Sequence, residues 1–512
     1  MLDSSKQIKL GAMMSYAAIA FNIIAGLIYT PWMISMIGQS NYGLYTIATS
    51  LITMFIMDFG MGAAVSRFMS RLLAQGEQKK ADDFMGLVYK MYLAIDALIF
   101  IVLIVVYFFI DSIYIKLTAE EISILKNLYI IVGSFSVLSF PFMNLNGILT
   151  AYEKFVPLKF CDLLNKIIVI ILMVASLLMG YGVYALVTVN AVAGLLVIVF
   201  KLIVIKKGTP LKSNFSYFDK KTLKDIFGFS VWTTIGSLAQ RLIFNISPTI
   251  IAAVSSTGTV GTAIFGLATT IEGYVYTFAT AINGMFMPKI SRIIVSGKKD
   301  KELMPLMIKI GRIQLMIVGI ITVGFITLGK SFIVDIWNKP DYTLSYYCAV
   351  LLVLPSIIYL PMQIANTTLI VENKVRLQAA VFVTMGIVNV VLSLILSKYY
   401  GAVGASISIF IAYTIRNILM IIIYHKVLRL NMIEFYKKTY LKLGLLLLIT
   451  MAVGFATEIF NPLPHGYFRF GINALILIVV FSLLMVLFGL NEYEKQLFFG
   501  VLNKIFAKIK KR

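Results

Sequence analysis

The chain has 512 residues, 60% of them hydrophobic and 13% charged, with a mean hydropathy of +0.92. These values exclude an ordinary soluble domain, and recurring apolar runs of twenty or more residues exclude a β-barrel of short alternating strands. The net charge of +22 does not indicate nucleic acid, because Lys and Arg sit in short loops between the apolar runs, where they set topology.

The runs predict an all-α polytopic membrane protein. Spans are expected at roughly 10–36, 42–66, 85–110, 125–151, 158–180, 183–205, 226–254, 259–288, 305–329, 345–371, 379–397, 402–424, 440–458 and 469–489, fourteen in all. The first run follows Lys6 and Lys9, as in a signal peptide, but it reaches Met36 through Asn22 and Pro31 with no cleavage site, so it reads as a span. An even count puts both termini on one side. That side carries 35 Lys and Arg against 6 opposite, which makes it cytoplasmic. Four more, Lys90, Lys166, Arg241 and Arg416, fall within spans, the last two deep. Asp162 and Lys166 have the spacing of a helical ion pair.

The longest loop divides the chain: six spans in 1–205, a cytoplasmic linker at 206–225, six spans in 226–424, helices 13 and 14 in 425–489, and a basic amphipathic tail at 490–512. In the tail, Phe498, Leu502, Ile505 and Ile509 alternate with lysines, as in a helix lying on an anionic leaflet. The two sixes match each other. SRLLAQGEQKK at Ser70–Lys80 aligns with SRIIVSGKKDK at Ser291–Lys301, Glu153 with Glu372, and Tyr181-Gly182 with Tyr400-Gly401, at a nearly constant offset. Thr30-Pro31 and Ser247-Pro248 hold similar depths in spans 1 and 7. An even-span duplication yields two bundles related by a pseudo-twofold axis along the membrane normal, a plan some transporters use to enclose a midplane site.

In span 7, Ser230, Thr234, Ser237, Arg241, Asn245 and Pro248 recur on one helical face, and span 8 carries Thr262, Thr269, Glu272, Tyr276, Thr280 and Asn283 in a similar stripe. The stripes read either as the wall of a water-filled lumen or as polar glue between helices; glue does not require an arginine. Charges at this depth are costly and face an interior or a wet cavity. Arg241 and Glu272 either neutralise each other or leave Arg241 to contact an anionic head group, which its planar donors suit. Arg416 beside Asn417 offers the same two readings. Asp58, Asp96 and Glu272 are the intramembrane carboxylates available for ion coupling.

Gly324–Ser331 fits the Walker A pattern but lies on the outer end of span 9, without the strand and helix a nucleotide loop needs. Cys161 and Cys348 lie at or in apolar runs, and His425 and His465 in opposite loops, so no disulfide, metal or cofactor site and no catalytic cluster is expected.

DFGMGAAVSR at Asp58–Arg67, preceded by YGLY at Tyr42–Tyr45, together with YYGAVGAS at Tyr399–Ser406, resembles the polysaccharide transport family. This family includes the O-antigen and capsule repeat-unit flippases of the multidrug/oligosaccharidyl-lipid/polysaccharide exporter superfamily. The resemblance implies two bundles around a central cavity in the bacterial inner membrane. It also implies a lipid-linked oligosaccharide, usually on undecaprenyl pyrophosphate, moved to the outer leaflet, with membrane lipids, polysaccharide polymerase and glycosyltransferases as partners. A drug or cation antiporter of the same superfamily is the alternative.

Overall fold

A computed structural model of the chain describes residues 4–56, 61–280, 286–337, 339–372 and 374–496. Among these residues there is no strand, and the chain runs as helices. In order they are α1 Ser4–Ile37, α2 Gln39–Phe55, α3 Met61–Ala74, α4 Gln78–Ile113, α5 Ala119–Ser139, α6 Leu145–Ala151, α7 Phe155–Leu178 and α8 Gly182–Gly208. After the linker come α9 Lys220–Phe244, α10 Ile246–Val254, α11 Gly258–Thr280, α12 Met287–Val295, α13 Lys299–Ser331, α14 Thr343–Val353, α15 Ser356–Tyr359 and α16 Gln363–Val371. The last four are α17 Val375–Lys426, α18 Met432–Tyr436, α19 Lys442–Phe460 and α20 Tyr467–Leu484.

Eleven described helical stretches are long and apolar enough to cross a membrane, three fewer than the fourteen spans expected. Part of the difference is one turn. α17 contains Gly401 at φ +54° and ψ −128°, so its 52 residues are two helical arms meeting at a glycine. At about 1.5 Å per residue its length is far more than one bilayer crossing needs. The predicted second and eighth spans correspond to α2–α3 and α11–α12, which flank 57–60 and 281–285, outside the described residues.

Local breaks recur at the offset seen in the sequence. Gly76 and Gly297 close the turns after α3 and α12 with φ of +73° and +69°, and Gly182 and Gly401 have φ of +57° and +54°. Pro141 and Pro361 each sit in a short 3₁₀ turn interrupting a longer helix. Proline lacks the N–H that helix continuation requires.

The chain packs as two compact units. The first comprises residues 1–270 and 375–416. Its core joins α2, α3, α4, α5 and α6 through Leu44, Ile47, Met69, Phe84, Leu125 and Ile148. The second comprises 271–374 and 417–512, with Leu315, Leu446, Leu447 and Leu477 packing α13 against α19 and α20. Here the Walker-like residues Gly324–Ser331 are continuous helix, and Ser331 donates to Glu458.

The linker is laid against α4. Lys212 N and Asn214 N donate to the Asp82 carboxylate and carbonyl, both at 3.0 Å, and Asn214 Nδ2 donates to Asp83 at 2.6 Å. Lys90 Nζ donates to the Tyr217 carbonyl at 3.1 Å, so this lysine of span 3 caps the linker. A side chain at Gly86 would strike the Asn214 backbone.

Candidate functional site

α9 begins at Asp219, whose carboxylate accepts from Lys221 N and Thr222 N, an N-cap satisfying two of the four orphan donors. It ends at Asn245 because Pro248 has no N–H to return to the carbonyl one turn earlier. Asn389 of α17 donates Nδ2 to the Leu242 and Ile243 carbonyls at 3.2 and 3.1 Å, beside the break. One face of α9 packs on α17, where Gly236 meets Ala379 and Phe382 and Gly386 meets Ala239.

Ser237, Arg241 and Asn245 lie on a face turned by roughly 100° or more from that contact. Arg241 Nη1 donates to the Thr53 carbonyl near the end of α2, and Asn245 Nδ2 donates to Thr53 Oγ1 at 3.1 Å. Both side chains are half-buried rather than packed away. Thr53 Oγ1 itself donates to the Thr49 carbonyl at 2.7 Å. A guanidinium carries five donors. Its recorded contact is to a neutral acceptor, which orients the group and leaves its charge in place.

The other predicted residues are elsewhere. Arg416 is buried in the first unit, its guanidinium 5.3 Å from the Phe382 ring and 5.8 Å from the Tyr413 ring. Cation–π contact of this kind supports a buried arginine. Asn417, 2% exposed, donates to the Pro355 carbonyl at 3.3 Å in the second unit. Glu272 is buried on α11, and Asp96 is buried on α4 with Oδ1 lacking a hydrogen-bond partner among the described residues. Asp58, Asn283 and the tail from residue 497 lie outside the described residues. Asp162 pairs with Lys159 at 3.2 Å and Lys201 at 3.8 Å, and not with Lys166. Among the described residues no cluster suits a metal ion.

Two constellations had no sequence signal beyond the residues themselves. Arg312, which falls near the start of the expected ninth span, is 7% exposed and bonded to Glu494, with Nε at 2.7 Å from Oε1. Its Nη2 also donates to Glu494 Oε2 and to the Gly489 carbonyl. The second is Glu121, which gathers the Ser40 and Thr259 hydroxyls from the first turns of two distant helices.

The fold is one that solved helical membrane transporters share. The structure is similar to that of the lipid II flippase MurJ in an inward closed conformation, with 18% identity, a TM-score of 0.68, and coverage of 93% of this chain and 98% of that one. It is also similar to an inward-facing multidrug-resistance MATE transporter of the MOP superfamily (15% identity, TM-score 0.59, 77% and 95% covered). A eukaryotic MATE transporter aligns at 11% identity and a TM-score of 0.59, over 85% and 98%. A search of curated proteins gives no match. The model of the polysaccharide biosynthesis protein family matches residues 11–293, more than half of the sequence, and the chain belongs to that family.

Proposed function

We propose that this chain is a flippase. Its cargo is a lipid-linked oligosaccharide repeat unit on undecaprenyl pyrophosphate, moved from the cytoplasmic to the outer leaflet of the bacterial inner membrane for surface polysaccharide synthesis. The observation carrying the proposal is a deep arginine, Arg241, oriented by a neutral carbonyl on a half-exposed polar face, in a chain of the polysaccharide biosynthesis family. A fold shared with a lipid II flippase supports it. Arg241 and Asn245 contact the anionic head group. Both termini are cytoplasmic on the charge asymmetry of the loops.

The electrostatics favour the direction. A pyrophosphate carrying about two charges gains roughly 4–5 kcal/mol per 100 mV on leaving an inside-negative cell. A cationic contact at mid-depth lowers the barrier, and the two repeats alternate their opening around it. Polymerase and glycosyltransferases act on either side of this step.

Deleting the chain should leave lipid-linked sugar accumulating on the inner leaflet. Restoring Arg241→Gln should recover transport roughly ten- to a hundredfold less well than the native chain, the size expected for a lost charge-assisted hydrogen bond. Arg241→Lys should fall between, because a point charge replaces a planar fork. The second reading, ion-coupled antiport of a drug or cation, is favoured by the MATE-like fold and by the buried carboxylates Asp96 and Glu272. In that case Arg241→Gln leaves transport intact, while Asp96→Asn or Glu272→Gln abolishes it.

A further inference from the structure

The first turns of three helices distant in sequence, α2, α5 and α11, meet at the end of the first unit that is poor in Lys and Arg. Glu121 Oε1 accepts from Ser40 Oγ at 2.8 Å and from Thr259 Oγ1 at 2.7 Å, and the two hydroxyl oxygens are 3.0 Å apart. The partners of Glu121 are 81 and 138 residues away in the chain. Ser40 and Glu121 belong to the first repeat and Thr259 to the second.

The carboxylate is held in place by its own helix. Thr118 and Glu121 form a capping box at the start of α5, with Oε2 accepting from Thr118 N at 3.0 Å. One oxygen therefore fixes the side chain while the other reaches across. With Glu121 ionised, both hydroxyl protons point to Oε1, so the carboxylate is what holds the two loops against each other. Such charge-assisted bonds are about twice as strong as neutral ones.

Backbone packing surrounds this junction. A side chain on Gly43 would strike the Thr259 carbonyl, so α2 touches the start of α11 directly. A Cβ on Gly401 would lie 2.9 Å from Thr257 Oγ1 and 3.3 Å from Ser255 Oγ. The uncharged loop 255–258 thus lies against Gly401, and the helix it leads into against Gly43. Thr53, where Arg241 and Asn245 converge, lies further along α2, about 20 Å deeper.

We infer that Ser40, Glu121 and Thr259 form the clasp of the extracytoplasmic gate, closed in this structure and opened when Thr259 parts from the other two. The inference rests on the transport reading above but requires no particular cargo.

The test uses the full chain with Cys161 and Cys348 replaced by alanine, in right-side-out vesicles. Thr53→Cys is labelled from outside by a membrane-impermeant maleimide and read by mass spectrometry. Adding Gly43→Ala, which wedges the two helices apart, should speed labelling about tenfold, a shift of about 1.4 kcal/mol toward the open gate. Glu121→Ala should act in the same direction but more weakly, since Ser40 and Thr259 can still bond to each other. A Ser40→Cys/Thr259→Cys pair should cross-link on oxidation and abolish labelling at position 53, with dithiothreitol restoring it. The inference is overturned if the pair fails to cross-link, or if labelling is the same oxidised and reduced. Labelling that responds as described, in a chain whose deletion leaves lipid-linked sugar undisturbed, keeps the gate and removes the flippase reading.

Discussion

Arg312 and Glu494 are 182 residues apart, yet two guanidinium nitrogens face the two carboxylate oxygens in a site where Glu494 is fully buried. Asn491 completes the cradle, its N–H donating to Glu494 Oε2 at 2.9 Å. Removing one member of a buried pair strands the other, at about 3–5 kcal/mol, whereas replacing both with apolar groups is often neutral. Arg312→Met should therefore lower thermal stability in detergent sharply, and adding Glu494→Leu should recover most of the loss. Additive losses would mean the pair is not a unit. This scale also shows where the sequence could be read. Arg241 and Asn245 are four residues apart, so a helical period alone puts them on one face, and both reach Thr53. Arg312 and Glu121 follow no such period. Each takes its meaning from a partner that only the tertiary fold brings near.

At the level of elements, the break between α9 and α10 is written in Pro248, but its repair is not. Asn389, fully buried on another helix, supplies donors to the Leu242 and Ile243 carbonyls. Asn389→Leu should cost about 1–3 kcal/mol in unfolding measurements, chiefly from the Leu242 carbonyl, since that of Ile243 keeps the Ser247 hydroxyl. The glycine turns separate two effects in a similar way. Gly182 has open space at its Cβ position, so Gly182→Ala should cost only the left-handed backbone, about 1–2 kcal/mol. Gly401→Ala should cost more, because Thr257 must also move. Asp219 sets a pH dependence at the start of α9. Bonds from the Thr222 side chain, the Thr222 N–H and the Lys221 N–H hold its carboxyl below the usual value. Its contribution is complete above the unfolded pKa of about 3.9 and is lost as pH falls through the lower folded value. Protection of the Lys221 and Thr222 amides, taken as exchange relative to the unfolded rate at each pH, should fall on acidification through that window. In Asp219→Ala it should be low throughout.

For the whole molecule, the sequence carries the helical membrane architecture, the segregation of charge and the duplication, because each follows from composition or spacing. Gly76 with Gly297 and Pro141 with Pro361 repeat the same local geometry at the spacing of the matched sequence segments. The packing of those elements is another matter. Residues 375–416 belong with 1–270 in one compact unit, a grouping set by side-chain fit and invisible to hydropathy. The second unit adds a cross-link of the same origin. Glu372 binds both Lys299 and Lys374, and although burial pushes its carboxyl upward, the two ammonium groups bring it below the usual carboxylate range. In the first unit Gln78 Nε2 donates to the Tyr152 hydroxyl at 3.0 Å, next to Glu153, the counterpart of Glu372.

The connection between the repeats has a mechanical consequence. Because Asp82, Asp83 and Lys90 pin residues 212–217 to α4, the linker has little slack. Only Phe218 separates the last pinned residue from the Asp219 cap. A joint of about three residues, roughly 10 Å at full stretch, can pivot but cannot pay out chain. A tilt of α9 would therefore turn like a door on a short hinge, its arc set by where α4 begins.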